Sequence, residues 1–507
     1  MWIKSAVLWG LLVGPALAQT PMSAIDWLSD TAATPEPPLA AAQPGVATNA
    51  AVGDVSVSTL GGTGTGAVGV LSGTTTGLPD TLWSGTPIIR IQALFSTLRP
   101  SRLPAINDLV VTLMLAEAGP GVTADGEALL LARVDQLLSR GALEPAAALL
   151  DQAGIGDAAR FRRAFDVALL TGAEDRACST LRRTPGVRPT YPARVFCLAR
   201  TGDWNAAALT LDAARALGQI NTDDDTLLAS FLDPELADHL PVPRGITPSP
   251  LTFRILDAIG EPLPTGPLPL AFAQSDLRSS IGWKAQLEAA ERLARVGAIS
   301  PARLLDLFTR RKPSASGGIW DRVAAVQALE NALYTKDSAG VAATLERAYD
   351  EMRAERLEVP LADAIGPQLQ TLRLKGRPGE LAYHLTLLTA DYETSARQHT
   401  HDPVSASDAF LTALARGLPD GTAPYDRMSA AVAQAFAGTP PPRDLTDLAQ
   451  NDRLGEATLM ATKMVDAGIM GDYKQLTDGL AFLRSVGLED VARRVSLQAL
   501  ILVPKGG

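Results

Sequence analysis

Two cysteines, Cys178 and Cys197, are the whole thiol inventory of this 507-residue chain. They fall on consecutive expected helices, 174–183 and 193–200, each about nine or ten residues from a turn near Gly186–Arg188. An antiparallel helix pair with that spacing brings both to the same height, so a disulfide is expected in an oxidising compartment. The spacing is not CxxC, which argues against redox catalysis. The histidines are His239, His384, His399 and His401. His399 and His401 sit close together with Asp402 beside them, but two imidazoles make a weak metal site, and the stretch reads as a solvated loop. His384 lies among Leu381, Leu385 and Leu388 and reads as a helix-packing residue. Gly64, Gly66 and Gly69 spell GxGxxG, yet Gly73, three threonines and Pro79 follow where a dinucleotide-binding helix would have to begin. HExxH, GxSxG, SxxK and Walker-type sequences are absent. No catalytic residue, metal or cofactor is expected, and the chain reads as a non-enzyme.

One stretch has the ingredients of a binding loop. Arg310, Arg311 and Lys312 precede Ser314, Ser316, Gly317, Gly318 and Trp320. Backbone amides at the start of the following helix suit an anion or carboxylate. Trp283 follows the similar stretch Ser279-Ser280-Ile281-Gly282. Trp283, Arg311, Ser316, Gly317, Gly318 and Trp320 are therefore the candidate partner-binding residues, for a peptide or a glycan. The plainer alternative is a capped loop with two packing tryptophans.

The elements that must position these groups are helices. Leu and Ala dominate an apolar fraction of 46%, and β-branched and aromatic residues are sparse, a balance that favours helix over sheet. The expected fold class is all-α. A net charge of −10 without a long basic tract argues against binding nucleic acid or anionic lipid. Residues 1–18 read as a signal peptide: Lys4 supplies the positive end, 6–13 the short apolar run, and Ala16-Leu17-Ala18 the cleavage pattern. The run is too short to span a membrane, and no integral span is expected after cleavage. Residues 19–83, rich in Ala, Thr, Pro and Gly, read as a low-complexity flexible arm. Helical patterning covers 84–232, a proline-rich crossover 233–280, and a second helical region 281–502.

A spacing rule recurs inside the helical regions. Gly141, Gly172, Gly202, Gly297 and Gly487 are each followed five residues later by alanine: Ala146, Ala177, Ala207, Ala302 and Ala492. A leucine or valine stands eight or nine residues after each glycine, namely Leu149, Leu181, Leu211, Leu305 and Val495. Glycine closes the first helix of a hairpin cheaply, and alanine lets the second helix pack close. The unit 198–214, with Gly202-Asp203-Trp204 at its turn and Ala207 and Ala214 after it, resembles the tetratricopeptide repeat family. The other units are degenerate, and their spacing of about 30 residues is shorter than the family's ~34. The resemblance implies an α-solenoid in two helical halves and a scaffold or adaptor that binds a protein or peptide. The expected function is an exported, periplasmic scaffold in the cell envelope. Alternatives are a cell-wall glycan-binding protein or enzyme using the Trp283/Trp320 region, and a structural surface protein.

Overall fold

The computed structural model describes residues 68–119, 126–184, 186–233, 235, 245, 247–398, 405–417 and 419–503. Residues 1–67, which include the expected signal peptide and most of the expected arm, and His239, His399, His401 and Asp402 lie outside the described residues. Among the described residues all regular structure is helical, with a single parallel bridge between Leu71 and Ala116. The protein is all-α.

The chain runs through α1 (Ile88–Thr97), α2 (Pro104–Leu115), α3 (Gly126–Ser139), α4 (Leu143–Ala153), α5 (Ala158–Thr171), α6 (Glu174–Arg183), α7 (Tyr191–Arg200), α8 (Trp204–Ala216), α9 (Thr222–Leu232) and α10 (Pro250–Ala258). A 3-10 helix, Leu270–Leu277, leads into α11 (Trp283–Ala294), α12 (Pro301–Thr309), α13 (Ile319–Tyr334), α14 (Ser338–Ala354), α15 (Glu358–Gln370) and α16 (Gly376–Leu388). The last group is α17 (Tyr392–Gln398), α18 (Ala406–Ala415), α19 (Arg427–Phe436), α20 (Arg443–Gln450), α21 (Leu454–Ile469), α22 (Tyr473–Ser485) and α23 (Glu489–Leu502). Their starts are written in the sequence. Pro104, Pro250 and Pro301 occupy first-turn positions, where the missing N–H costs nothing. The side chains of Asp157, Asn221, Ser300 and Asp472 accept hydrogen bonds from first-turn amides. The acidic run Asp223–Asp225 forms the first turn of α9, at the positive end of its dipole.

The glycine rule has a geometric basis. Gly141, Gly172, Gly202 and Gly487 have φ of 71°, 78°, 85° and 85°, and each next helix begins two residues on. In each turn the amide after the glycine donates back across the turn: Ala142 to Leu137 O, Ala173 to Ala168 O, Asp203 to Leu198 O, and Leu488 to Leu483 O. This is the six-residue closure of a Schellman motif. The residue five places after the glycine then faces the partner helix: Ala146, Ala207 and Ala492 are fully buried, and Ala177 is half-buried. Lys336, Arg356, Asp452 and Gly471 make the same turn, with Val341, Leu361, Ala457 and Leu476 buried at the matching place. Gly297 departs from the rule. Its turn closes in the same way, but Ile299 and Ser300 intervene before α12 begins at Pro301. The extra residues rotate the helix, so Ala302 is exposed and Leu304, Leu307 and Phe308 are buried.

Three apolar cores result. One, between α5 and α10, is built on Phe161, Phe165, Phe196 and Leu256. A second runs from the 3-10 helix to α16 and includes Trp283, Phe308 and Leu345. The largest joins the two ends of the described chain. In it α23 packs on α2, α16, α18 and α19, and α21 packs on α1 and α2. The Ala105 amide donates to Gln498 Oε1 at 2.9 Å, Arg494 pairs with Asp108 at 2.9 Å, and Arg90 pairs with Glu456 at 2.8 Å. A stack in which each unit touches only its neighbours would leave these ends apart. The end of the expected flexible arm belongs to this core: Val68, Leu78, Leu82 and Trp83 are buried. Gly455 admits Trp83, whose ring lies 2.5 Å from where a Cβ would stand. Low-complexity composition extended the expected arm too far, because the apolar anchors between the glycines and threonines are few and widely spaced.

Cys178 on α6 and Cys197 on α7 are disulfide-bonded, with Cα atoms 5.1 Å apart, and both are buried in the aromatic core. The bond joins residues 19 apart in sequence, a loop size that stabilises by about 3 kcal/mol through the unfolded chain. The double variant Cys178→Ala/Cys197→Ala should therefore lower the unfolding free energy by about 3 kcal/mol in a urea titration. Thiol titration of unreduced, denatured protein should find no free thiol.

Candidate functional site

The stretch read as a binding loop folds against α11 and α13. Trp283 opens α11 and is buried, and its indole Nε1 donates to Leu307 O at 2.9 Å. Its ring lies 5.2 Å from that of Trp320, tilted by 50°, and Trp320 is half-buried against the same core. The two tryptophans are thus brought together as a packed pair between helices. Trp283 is too buried to offer a free ring face for stacking. Beneath them Arg322 of α13 makes a two-pronged pair with Glu291 of α11, at 2.6 and 2.9 Å, with both side chains almost fully enclosed. Burial pushes the Glu291 carboxyl up and the guanidinium opposes it, so the pair fixes α11 against α13.

Ser316, Gly317 and Gly318 are exposed ahead of α13. Gly317 and Gly318 take φ of 91° and 55°, a left-handed step that favours glycine. No side chain caps α13. Arg311 lies on the other side of this loop, in an open groove between α12 and α13 together with Leu305, Lys312, Glu330 and Tyr334. Gln327 sets the groove's end by donating from Nε2 to Phe308 O at 2.7 Å and to Arg311 O at 2.6 Å. Arg310 is committed to Asp306 at 2.6 Å and to Gln286. Arg311 and Lys312 are exposed, and among the described residues no ion pair engages them. Tyr334 is 85% exposed. Burial raises the pKa of Glu330, and its Oε2 accepts no hydrogen bond among the described residues. The groove therefore offers two free cations, an aromatic ring and an under-satisfied carboxyl. Arg311 was legible as part of it. Glu330 and Tyr334 were not, because they come from the far end of α13.

A second cluster is only partly legible in the sequence. His384 Nε2 lies 2.7 Å from Asp408 Oδ1, and Glu380 joins them so that one ligand atom from each lies within 4.8 Å of the others. Glu380 and His384 are four apart on α16, one helical turn, and that spacing is readable. Asp408 comes from α18, and its 24-residue separation from His384 carries no sequence signal. His384 is thus half-buried and hydrogen-bonded across a helix interface.

No family model matches the chain, and neither the curated proteins nor the solved structures contain a significant match to it. Among the described residues no helix is long and apolar enough to cross a membrane.

Proposed function

We propose that this protein is an exported helical-hairpin scaffold of the cell envelope that binds an anionic segment of a partner protein in the groove between α12 and α13. The observation that carries the reading is the pair of uncommitted cations, Arg311 and Lys312, beside the exposed ring of Tyr334 in a chain of net charge −10. A carboxylate-bearing peptide gains charge-assisted hydrogen bonds from the guanidinium and ammonium groups. An apolar residue of the same peptide would cover Tyr334 and Leu305. The signal-like residues 1–18 support export, and the recurring helical hairpins supply the scaffold. The glycan reading loses its main support once the Trp283 ring is enclosed.

A photoreactive amino acid placed at position 334 tests the idea in cells. A discrete crosslinked species is expected with an otherwise unchanged chain, and Arg311→Glu/Lys312→Glu should reduce its yield at least tenfold. A crosslink indifferent to that charge reversal, or no crosslink at all, would overturn the groove as the partner site.

A further inference from the structure

We propose that Glu380, His384 and Asp408 form a binding site for one divalent transition-metal ion of the zinc class, clipping α16 to α18. The donor set is mixed: one imidazole nitrogen and two carboxylates, from two helices. Glu380 and His384 stand one above the other on α16, so both reach the same point in front of the helix. Asp408 approaches from the first turn of α18, where its amide donates to Ser405 Oγ at 3.1 Å and holds the helix start in place. One turn further along, Tyr383 Oη and Thr412 Oγ1 are 2.7 Å apart and tie the same two helices independently. The helix pair is therefore in register before any ion arrives.

The distances suit such an ion. Zinc bonds of about 2.0–2.2 Å to nitrogen and oxygen place tetrahedral donor atoms roughly 3.3 Å apart. His384 Nε2 and Asp408 Oδ1 at 2.7 Å have to open by a few tenths of an ångström. Glu380, within 4.8 Å of both, has to close by at most about 1.5 Å to reach that spacing, which rotation of a flexible side chain supplies. The hydrogen bond between His384 and Asp408 is then the metal-free resting state, in which the shared proton occupies the place of the ion. Two carboxylates and a neutral imidazole would balance the charge of a divalent cation. An imidazole with only two carboxylates favours zinc, cobalt or nickel over calcium, which needs six or more oxygens. The His384 side chain is 24% exposed and that of Asp408 only 7%, so the fourth position opens toward solvent from the histidine side. Three protein ligands with one open position is the arrangement that lets a bound ion keep a water or an exchangeable ligand.

The test uses the mature chain, stripped with chelator and titrated with zinc chloride by calorimetry and with cobalt(II) by visible absorption. One ion per chain with a dissociation constant at or below 10 micromolar is expected, together with a cobalt band indicating four-coordination and a rise in the thermal midpoint on adding zinc. His384→Ala and Asp408→Asn should each weaken binding at least tenfold and abolish the thermal shift. The near-isosteric His384→Gln guards against a folding defect. Glu380→Gln should weaken binding while leaving the metal-free midpoint unchanged. Absence of stoichiometric uptake overturns the proposal. So does binding that survives His384→Gln, or that is lost only in His399→Ala/His401→Ala.

Discussion

Arg133→Met is expected to destabilise the protein by about 4 kcal/mol, read as a shift of the urea midpoint without loss of the helical signal at low denaturant. Arg133 lies at the middle of α3 and is fully buried. Its guanidinium donates to three main-chain carbonyls, each at 2.7 Å: Nε to Met114, Nη1 to Val68 and Nη2 to Ala116. Two of those carbonyls end α2, where helical partners have run out. The third belongs to the segment that forms the bridge between Leu71 and Ala116. Burial lowers the Arg133 pKa to about 10, so the group stays charged at neutral pH. Methionine would keep much of the volume but leave three dry carbonyls, each costing about 1–3 kcal/mol unless water enters. Arg133→Lys should recover little of the loss, because one ammonium cannot face three acceptors arranged around a planar fork. Limited proteolysis adds a local readout, since cutting near residues 68–78 should accelerate in both variants. A midpoint shift worth under 1 kcal/mol would mean that the carbonyls are satisfied by other means and would refute this account.

Arg133 also shows where sequence reading stops. That α3 is a helix follows from its leucine and alanine spacing. That one polar residue in its interior is the clamp for residues 68 and 114–116 does not, because its partners are main-chain carbonyls, which every residue has. The same division holds across the fold. Helix starts at Pro104, Ser300 and Asn221 rest on local chemistry, a first-turn proline or a capping side chain. The hairpin turns at Gly141, Gly172, Gly202 and Gly487 were readable because glycine pays least for positive φ. Equivalent turns at Lys336, Arg356 and Asp452 have no glycine to mark them, and the hydrogen bond that closes each turn holds the residue in the left-handed region despite its side chain. The buried place five residues on accepts Val341, Leu361 and Leu476 as well as alanine, so what recurs is a geometry, and residue identity follows it only loosely. The Cys178–Cys197 bond was legible because both cysteines lie at matched distances from one turn. The closure of α23 onto α2 was not, because contacts between residues about 390 apart, such as Ala105 with Gln498, leave no periodic trace. The candidate sites divide in the same way: Arg311 stood in an unusual local run, whereas Asp408 meets His384 only through the packing of α18 on α16.

Asp166→Asn is expected to stabilise the protein at pH 8 by several kcal/mol and to make little difference near pH 4. Asp166 sits on α5, buried, and its Oδ2 accepts no hydrogen bond among the described residues. Arg163, one of the two cations that act on it, is already engaged by Asp135 through two bonds of 2.5 and 2.7 Å. Burial therefore dominates, raising the carboxyl from its ordinary 3.8 to about 7; the positive charges of Arg162 and Arg163 pull it down and Asp135 pushes it up. In the unfolded chain the same carboxyl ionises near 3.8. Between these values the native state holds a proton that the unfolded state has lost, so stability falls as the pH rises through that window and levels off above it. A shift of about three units corresponds to roughly 4 kcal/mol at most. Asparagine cannot ionise, so its variant should lack this component of the pH dependence. Comparing urea midpoints of the two proteins at pH 4, 6 and 8 isolates it, because the other buried carboxyls, including Asp363 with its pKa raised to about 6, titrate in both. The gap should open steadily from pH 4 to pH 8. A constant gap, or one that closes as the pH rises, would show that Asp166 is ionised in the native protein and paired with one of its two arginines.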